Sequence, residues 1–213
     1  EYELVYDNPH KYIIVIFGIN IQCLEDNNCA IYILMELAEE DWDSLIRKRS
    51  VSNLYYNEMQ LISILKQITT VLCYLQKEKK IAHRDIKPEN ILVFKHEIYK
   101  ISDFGEAKRK MLSKQLNTLR GTELYMSPLL YEGLQEDKND MRHNPYKSDV
   151  FSLGYCLIYA ASLDFNVIYE IRKISNDNFL KKILVKYLGK RYSDKFIDIL
   201  FKMIIYDEGK RLD

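Results

Sequence analysis

The chain carries no net charge: 31 lysines and arginines balance 31 aspartates and glutamates over 213 residues. A nucleic-acid or anionic-membrane footprint needs a basic excess on one face, and no face reads as basic. There are only four cysteines, Cys23, Cys29, Cys73 and Cys156, with no C-x-x-C pair. That spacing argues against a zinc site and against a disulfide framework, so a reducing, cytoplasmic setting is the expectation. The longest apolar run, Val150 to Leu163, is closed by Asp149 and Asp164 and interrupted by Ser152, Gly154 and Ser162. It is too short to span a bilayer and reads as a buried helix. No signal peptide is visible, and the first residue is Glu1, which suggests a fragment or processed product. All seven glycines fall at or after Gly18, and no G-x-G-x-x-G occurs. A glycine-rich phosphate cradle is therefore missing from these residues.

What is present is a soluble, globular composition, 47% hydrophobic and 29% charged, without internal repeats or low-complexity linkers. Residues 1–8 read as a helix end broken by Asn8-Pro9. Tyr12 to Ile21 and Ala30 to Leu37 read as strands around an Asp26-Asn27-Asn28 turn. Trp42 to Arg49 has acid before it and base at its end, as a short helix does. Asn57 to Lys80 is a long amphipathic helix, with Leu61, Ile64, Leu65, Ile68, Val71, Leu72 and Leu75 at helical spacing. Short strands are expected at Ile91–Phe94 and Tyr99–Ile101. Ala107 to Pro128 has no period, and a loop of that length in a compact domain is usually functional. Leu134 to Lys147 reads as a solvated insertion. Helical patterns return at Ser148–Leu163, Asn166–Leu188 and Ser193–Tyr206.

The chemistry sits in two short loops. His83-Arg84-Asp85-Ile86-Lys87-Pro88-Glu89-Asn90 places a carboxylate, an ammonium and a carboxamide within one turn of chain. Thirteen residues after Asn90, Asp103-Phe104-Gly105 adds a second carboxylate on a glycine hinge. Asp and Asn oxygens are hard ligands suited to Mg²⁺, which completes its shell with water and phosphate oxygens. The other Asp is free to orient a hydroxyl, and the Lys to neutralise a migrating phosphoryl group. This pair of loops closely resembles the catalytic loop and metal-binding turn of eukaryotic protein kinases.

The resemblance implies an α+β, two-lobe kinase-like fold. Residues 1–38 would be a truncated small β lobe, and residues 39–213 the large, mainly helical lobe. It further implies an ATP- and Mg²⁺-dependent transferase acting on a protein substrate, with no nucleic acid or membrane involved. Asp85 would accept the substrate proton, and Lys87 would stabilise the transferred phosphate. Asn90 and Asp103 would hold Mg²⁺. In this family a Lys two residues after the catalytic Asp marks serine/threonine specificity. Gly121 to Pro128 resembles the peptide-docking segment, with Thr122 bonded to Asp85 and Lys87. Asp149, at the start of the central helix, would brace the catalytic loop by accepting backbone N–H bonds. Met35 would be the gatekeeper, and Glu36 and Ala38 would meet adenine through their backbone. Asp41 would reach the ribose, and Leu92 would lie under the adenine ring. For Met35 and Leu92, plain core packing is the other reading. Arg84 and a phosphorylated Thr118 would form an activating pair, unless Thr118 is an ordinary loop threonine.

Three departures qualify the resemblance. The glycine-rich loop and the strand lysine that holds the α/β-phosphates would lie before residue 1, so the 213 residues alone are expected to be inactive. Ser127-Pro128-Leu129 lacks the Glu that pairs with the position of Arg211. Either Glu132 replaces it or Arg211 faces solvent. Glu106 follows Gly105 where an apolar residue is common. The alternative function is a pseudokinase scaffold binding partners through the helical lobe. The retained Asp85, Lys87, Asn90 and Asp103 weigh against it.

Overall fold

The structure, a computed structural model, describes residues 9–23, 29–109, 117–118, 123–136 and 140–213. Strands β1 (Ile16–Cys23) and β2 (Cys29–Met35) pair antiparallel, from Ile16 opposite Met35 to Cys23 opposite Cys29. The first strand starts later than its β-branched sequence suggests. Ile13 and Ile14 leave the hairpin and dock beside Ile101 instead: Ile14 N–H donates to the Ile101 carbonyl and Ile101 N–H to that of Tyr12, both at 2.9 Å. Burial drives the choice, because Ile13 and Ile14 are almost fully enclosed there. The hairpin itself leaves Phe17 and Leu34 largely in solvent. The expected helix end at residues 1–8 and the Asp26–Asn28 turn lie outside the described residues.

Strand β3 (Glu40–Asp41) leads into α1 (Trp42–Val51), whose N-cap is Asp41. Helix α2 (Glu58–Tyr74) begins with a reciprocal cap between Asn57 and Gln60. It buries Leu61, Ile64, Ile68 and Val71 along one face. The sequence period runs on to Lys80, but the last turn, Leu75–Lys79, widens to a π-helix. Lys80, at φ 59°, closes it in the left-handed conformation. Strand β4 (Ile81–Ala82) follows, then β5 (Ile91–Phe94) and β6 (Ile98–Ile101). Strands β3, β5 and β6 form one antiparallel sheet under the loops of interest.

Strand β7 (Lys108–Arg109) pairs with β4, and β8 (Asn117–Thr118) with β9 (Asp140–Met141). Five helices complete the described chain: α3 (Pro128–Gln135), α4 (Pro145–Ser162), α5 (Phe165–Arg172), α6 (Asp177–Leu188) and α7 (Asp194–Ile204). The stretch 134–147 is not simply a solvated insertion. It holds the end of α3, strand β9 and the start of α4, where Asn144 caps the backbone N–H groups of Tyr146 and Lys147. The pattern 166–188 splits in two because Asn176 caps a new helix by accepting from Phe179 N–H. No described helix is long and apolar enough to cross a membrane.

Helix α4 is the core of the large lobe, with 15 of its 18 residues buried. Its glycine has a packing reason. A Cβ on Gly154 would lie 2.5 Å from Ile204 Cγ2 and 3.0 Å from Met203 Cβ, on α7. Gly154→Ala should therefore lower stability by about 1–3 kcal/mol, the usual cost of overpacking. Urea unfolding of the two proteins measures it, and an unchanged midpoint would contradict the close crossing.

Arg211 neither meets Glu132 nor faces solvent. It is 3% exposed. Its guanidinium donates to the carbonyls of Ile205 (3.1 and 2.9 Å), Tyr206 (3.2 Å) and Lys147 (3.3 Å), and lies over the Phe151 ring. Backbone oxygens replace the missing carboxylate. Burial among neutral acceptors pulls its pKa down to about 10.

Candidate active site

The loop between β4 and β5 is held from below by one carboxylate. Asp149, buried on α4, accepts His83 N–H at Oδ2 and Arg84 N–H at Oδ1, each at 2.8 Å. Arg84 needs that restraint, since its φ of 74° lies in the left-handed region. Burial pushes the Asp149 carboxyl up to about 7, against the opposing pull of the two N–H bonds. His83 is a second fixed point. It has no solvent exposure, and its Nε2 lies 3.0 Å from the Ser102 carbonyl, while Asp85 N–H points at its Nδ1 at 3.4 Å. Those two contacts assign the neutral Nε2–H tautomer. Burial lowers the His83 pKa in the same sense. Its ring stacks edge-on against buried Phe104, which ties the two chemical loops together.

Asp85, Lys87 and Asn90 converge above this base. Lys87 Nζ is 2.8 Å from Asp85 Oδ2. Asn90 Nδ2 donates to the same Oδ2 at 3.0 Å and to the Asp85 carbonyl at 2.9 Å. With both amide hydrogens directed at Asp85, the carboxamide of Asn90 keeps its oxygen for another partner. Ser102 continues the β5–β6 pairing beyond its last rung, its N–H and Oγ both donating to the Asn90 carbonyl. That brings Asp103 next to Asn90. Asp103 is exposed and left-handed (φ 57°), and its Oδ1 accepts Gly105 N–H at 3.2 Å. One buried and one exposed oxygen donor, on neighbouring loops, fit Mg²⁺ arriving with a phosphate rather than a closed protein cage. Among the described residues no cluster of three or more His, Cys, Asp or Glu side chains suits a metal.

Of the residues expected at a nucleotide, Asp41 and Leu92 lie on the β3–β5–β6 sheet. Asp41, Leu92 and Lys100 occupy one rung across its three strands. Asp41 already has partners, accepting Ser44 N–H and Ser44 Oγ, each at 2.8 Å, as the α1 cap. Leu92 is half-buried, and Met35 ends β2 at 40% exposure. Half-buried Leu92 and exposed Met35 leave apolar surface for a flat ring. Ala38, also half-buried, follows in the connector. Thr122 lies outside the described residues. For Thr118 only the backbone is described, and it pairs with Asp140 in β8–β9.

Sequence reasoning assigned only the backbone of Glu36, and its side chain does more. The carboxylate accepts Val15 N–H at 2.8 Å and meets Lys100 Nζ at 2.6 and 2.7 Å. Its own N–H donates to the Val15 carbonyl. Glu36 and Lys100 are 64 positions apart, and no local pattern links them. The pair is mostly shielded, with side chains 21% and 14% exposed. Removing Lys100 leaves a partly buried carboxylate short of a charged partner. Lys100→Met should cost about 2 kcal/mol of stability, within the range for charge-assisted bonds. A double-mutant cycle with Glu36→Gln in urea should return most of that cost as coupling. Additive losses would mean the contact carries no energy.

Comparison with known proteins bears on the same residues. A family model described as "Protein kinase domain" matches residues 1–213. Serine/threonine-protein kinase Nek10 of Homo sapiens is 29% identical over 194 residues, 87% of this chain and 15% of its own length. Calcium-dependent protein kinase 3 of Plasmodium yoelii yoelii is 31% identical over 202 residues, 91% of this chain and 34% of its own length. Serine/threonine-protein kinase Nek2 of Homo sapiens is 29% identical over 191 residues, 85% of this chain and 40% of its own length. The chain thus spans less than half the length of each of these three relatives.

Proposed function

This chain belongs to the protein kinase family, and on that premise we propose that it is a serine/threonine kinase transferring the γ-phosphate of ATP to a protein hydroxyl. The observation that carries this reading is the convergence of Lys87 Nζ and Asn90 Nδ2 on Asp85 Oδ2, at 2.8 and 3.0 Å. An acceptor carboxylate, a cation and an oxygen ligand stand in one preorganised cluster. Phosphoryl transfer asks a protein for little else than positioning and charge neutralisation.

In this reading Asp85 orients the substrate hydroxyl and accepts its proton as the oxygen–phosphorus bond forms and the bond to ADP breaks. Lys87 offsets negative charge on the moving phosphoryl group. Asn90 and Asp103 would hold Mg²⁺, which would supply charge neutralisation at the phosphates. Adenine meets the connector at the Glu36 carbonyl and the backbone of Ala38, since Glu36 N–H is engaged with Val15. Met35 and Leu92 offer it apolar contact. Asp41 must exchange its Ser44 bonds to reach the ribose. The family resemblance gives Thr122 the role of hydrogen-bonding Asp85 and Lys87. Lys87, two residues after Asp85, and the likeness to serine/threonine-protein kinases Nek10 and Nek2 support serine and threonine as acceptors. Phosphate at Thr118 would pair with Arg84 in charge-assisted hydrogen bonds.

The test is transfer of labelled γ-phosphate from Mg·ATP to casein by the full-length protein, followed by phosphoamino-acid analysis. Label in phosphoserine and phosphothreonine is the expected result. Nucleotide binding without transfer above background would return the scaffold reading.

A further inference from the structure

Cys23 and Cys29 stand directly opposite each other on the last rung of the β1–β2 hairpin. Their sulfurs are 3.9 Å apart, and both residues are exposed. We infer that this pair is a reversible thiol-oxidation site, closed to an internal disulfide by exchange with a small disulfide of the glutathione type.

Three features combine in this pair. Directly opposed residues of an antiparallel ladder have Cα atoms about 4.5–5.5 Å apart, inside the range a disulfide spans. The backbone therefore needs no rearrangement, and side-chain rotation alone must bring the sulfurs to bonding distance. Access is open at both sulfurs, and exchange requires a thiolate to reach its target in line. The other two cysteines differ. Cys73 lies on α2, away from the hairpin, and Cys156 is fully buried in α4, where burial raises its thiol pKa and makes it inert.

The chemistry balances in two exchanges. One cysteine thiolate attacks a sulfur of glutathione disulfide and expels one glutathione thiolate. The second cysteine thiolate attacks the resulting mixed disulfide at the protein sulfur and expels the other. The two protein thiols are oxidised by two electrons, and glutathione disulfide is reduced to two glutathiones, which take up the protons. Excess glutathione runs the sequence backwards.

The experiment equilibrates the whole protein in reduced:oxidised glutathione mixtures, traps thiols with N-ethylmaleimide and maps the peptides by mass spectrometry. In the oxidising arm the peptide holding residues 23 and 29 should be unlabelled and about 2 Da lighter than its reduced form, the mass of the two hydrogens lost. Dithiothreitol should return it to a doubly labelled peptide. Cys23→Ser should leave Cys29 as a glutathione adduct or a labelled thiol. Separate glutathione adducts on both cysteines of the wild type would overturn the inference. So would both remaining labelled in mixtures that already modify Cys73, or links only between molecules.

Discussion

In the full-length protein, Asp85→Asn should lower turnover by about 10³-fold, within the span expected for losing a positioned base, while leaving the KM for ATP nearly unchanged. The two effects separate because, in the proposed function, Asp85 takes the hydroxyl and Asn90 and Asp103 take the metal. The substitution is close to isosteric, so the loop should keep its shape. An Asn Oδ1 can still accept from Lys87 or from Asn90, the two donors now on Asp85 Oδ2. What disappears is the negative charge and the acceptor of the proton. Steady-state kinetics with ATP varied at saturating acceptor, together with calorimetric titration of nucleotide, measures both halves. Turnover above about a tenth of wild type would remove Asp85 from the role of base, because a positioned base accounts for two to four orders of magnitude.

Asp149→Ala should be the most damaging change remote from the reacting groups. Two backbone N–H groups, on His83 and Arg84, lose their acceptor in a buried setting. Each unsatisfied donor costs on the order of 1–3 kcal/mol, so a loss of roughly 2–4 kcal/mol is expected after partial relaxation. The left-handed Arg84 loses its restraint at the same time. A shift of about 1 Å in Asp85 is enough for a 10²-fold fall in turnover. Asp149 also leaves a signature in pH. Its folded value, near 7, stands above its ordinary 3.8. Between those values the folded protein holds a proton that the unfolded chain has released. By linkage, Asp149 makes stability fall as pH rises from about 4 to about 7, with no further change above. Asp149→Asn cannot titrate. The stability gap between wild type and Asp149→Asn should therefore shrink across that window, as read from urea midpoints at pH 5 and pH 8. A gap independent of pH would show that Asp149 titrates at its ordinary value.

Much of the site was legible because its residues are contiguous. His83 to Asn90 and Asp103 to Gly105 are short strings, and the backbone between them is one hairpin. Helix α2 was legible from the spacing of Leu61, Ile64, Ile68 and Val71, since burial of one face needs that period. The parts that escaped depend on distant partners. Ile13 and Ile14 have strand-forming side chains, but tertiary burial chose Ile101 as their neighbour over the hairpin. Arg211 is satisfied by carbonyl groups, which every residue carries and no sequence advertises. The Glu36 carboxylate found Lys100 through the fold alone. The 166–188 pattern was read as one helix because its apolar spacing continues on both sides of the break that the Asn176 cap makes.

Strand β6 and the residues just after it are a seam with two sides. Lys100 holds Glu36, and Ile101 bonds Tyr12 and Ile14, while Ser102 bonds Asn90. The chain before the connector and the loop carrying Asn90 are thus hung from three consecutive residues. Such a joint has few degrees of freedom. Sliding one side by a single residue would turn every side chain of the strand to the wrong face, so the smallest permitted step is two residues, about 6.6 Å. Translation along the strand is therefore blocked. The joint thus fixes register: the chain before the connector and the loop carrying Asn90 keep one offset along β6.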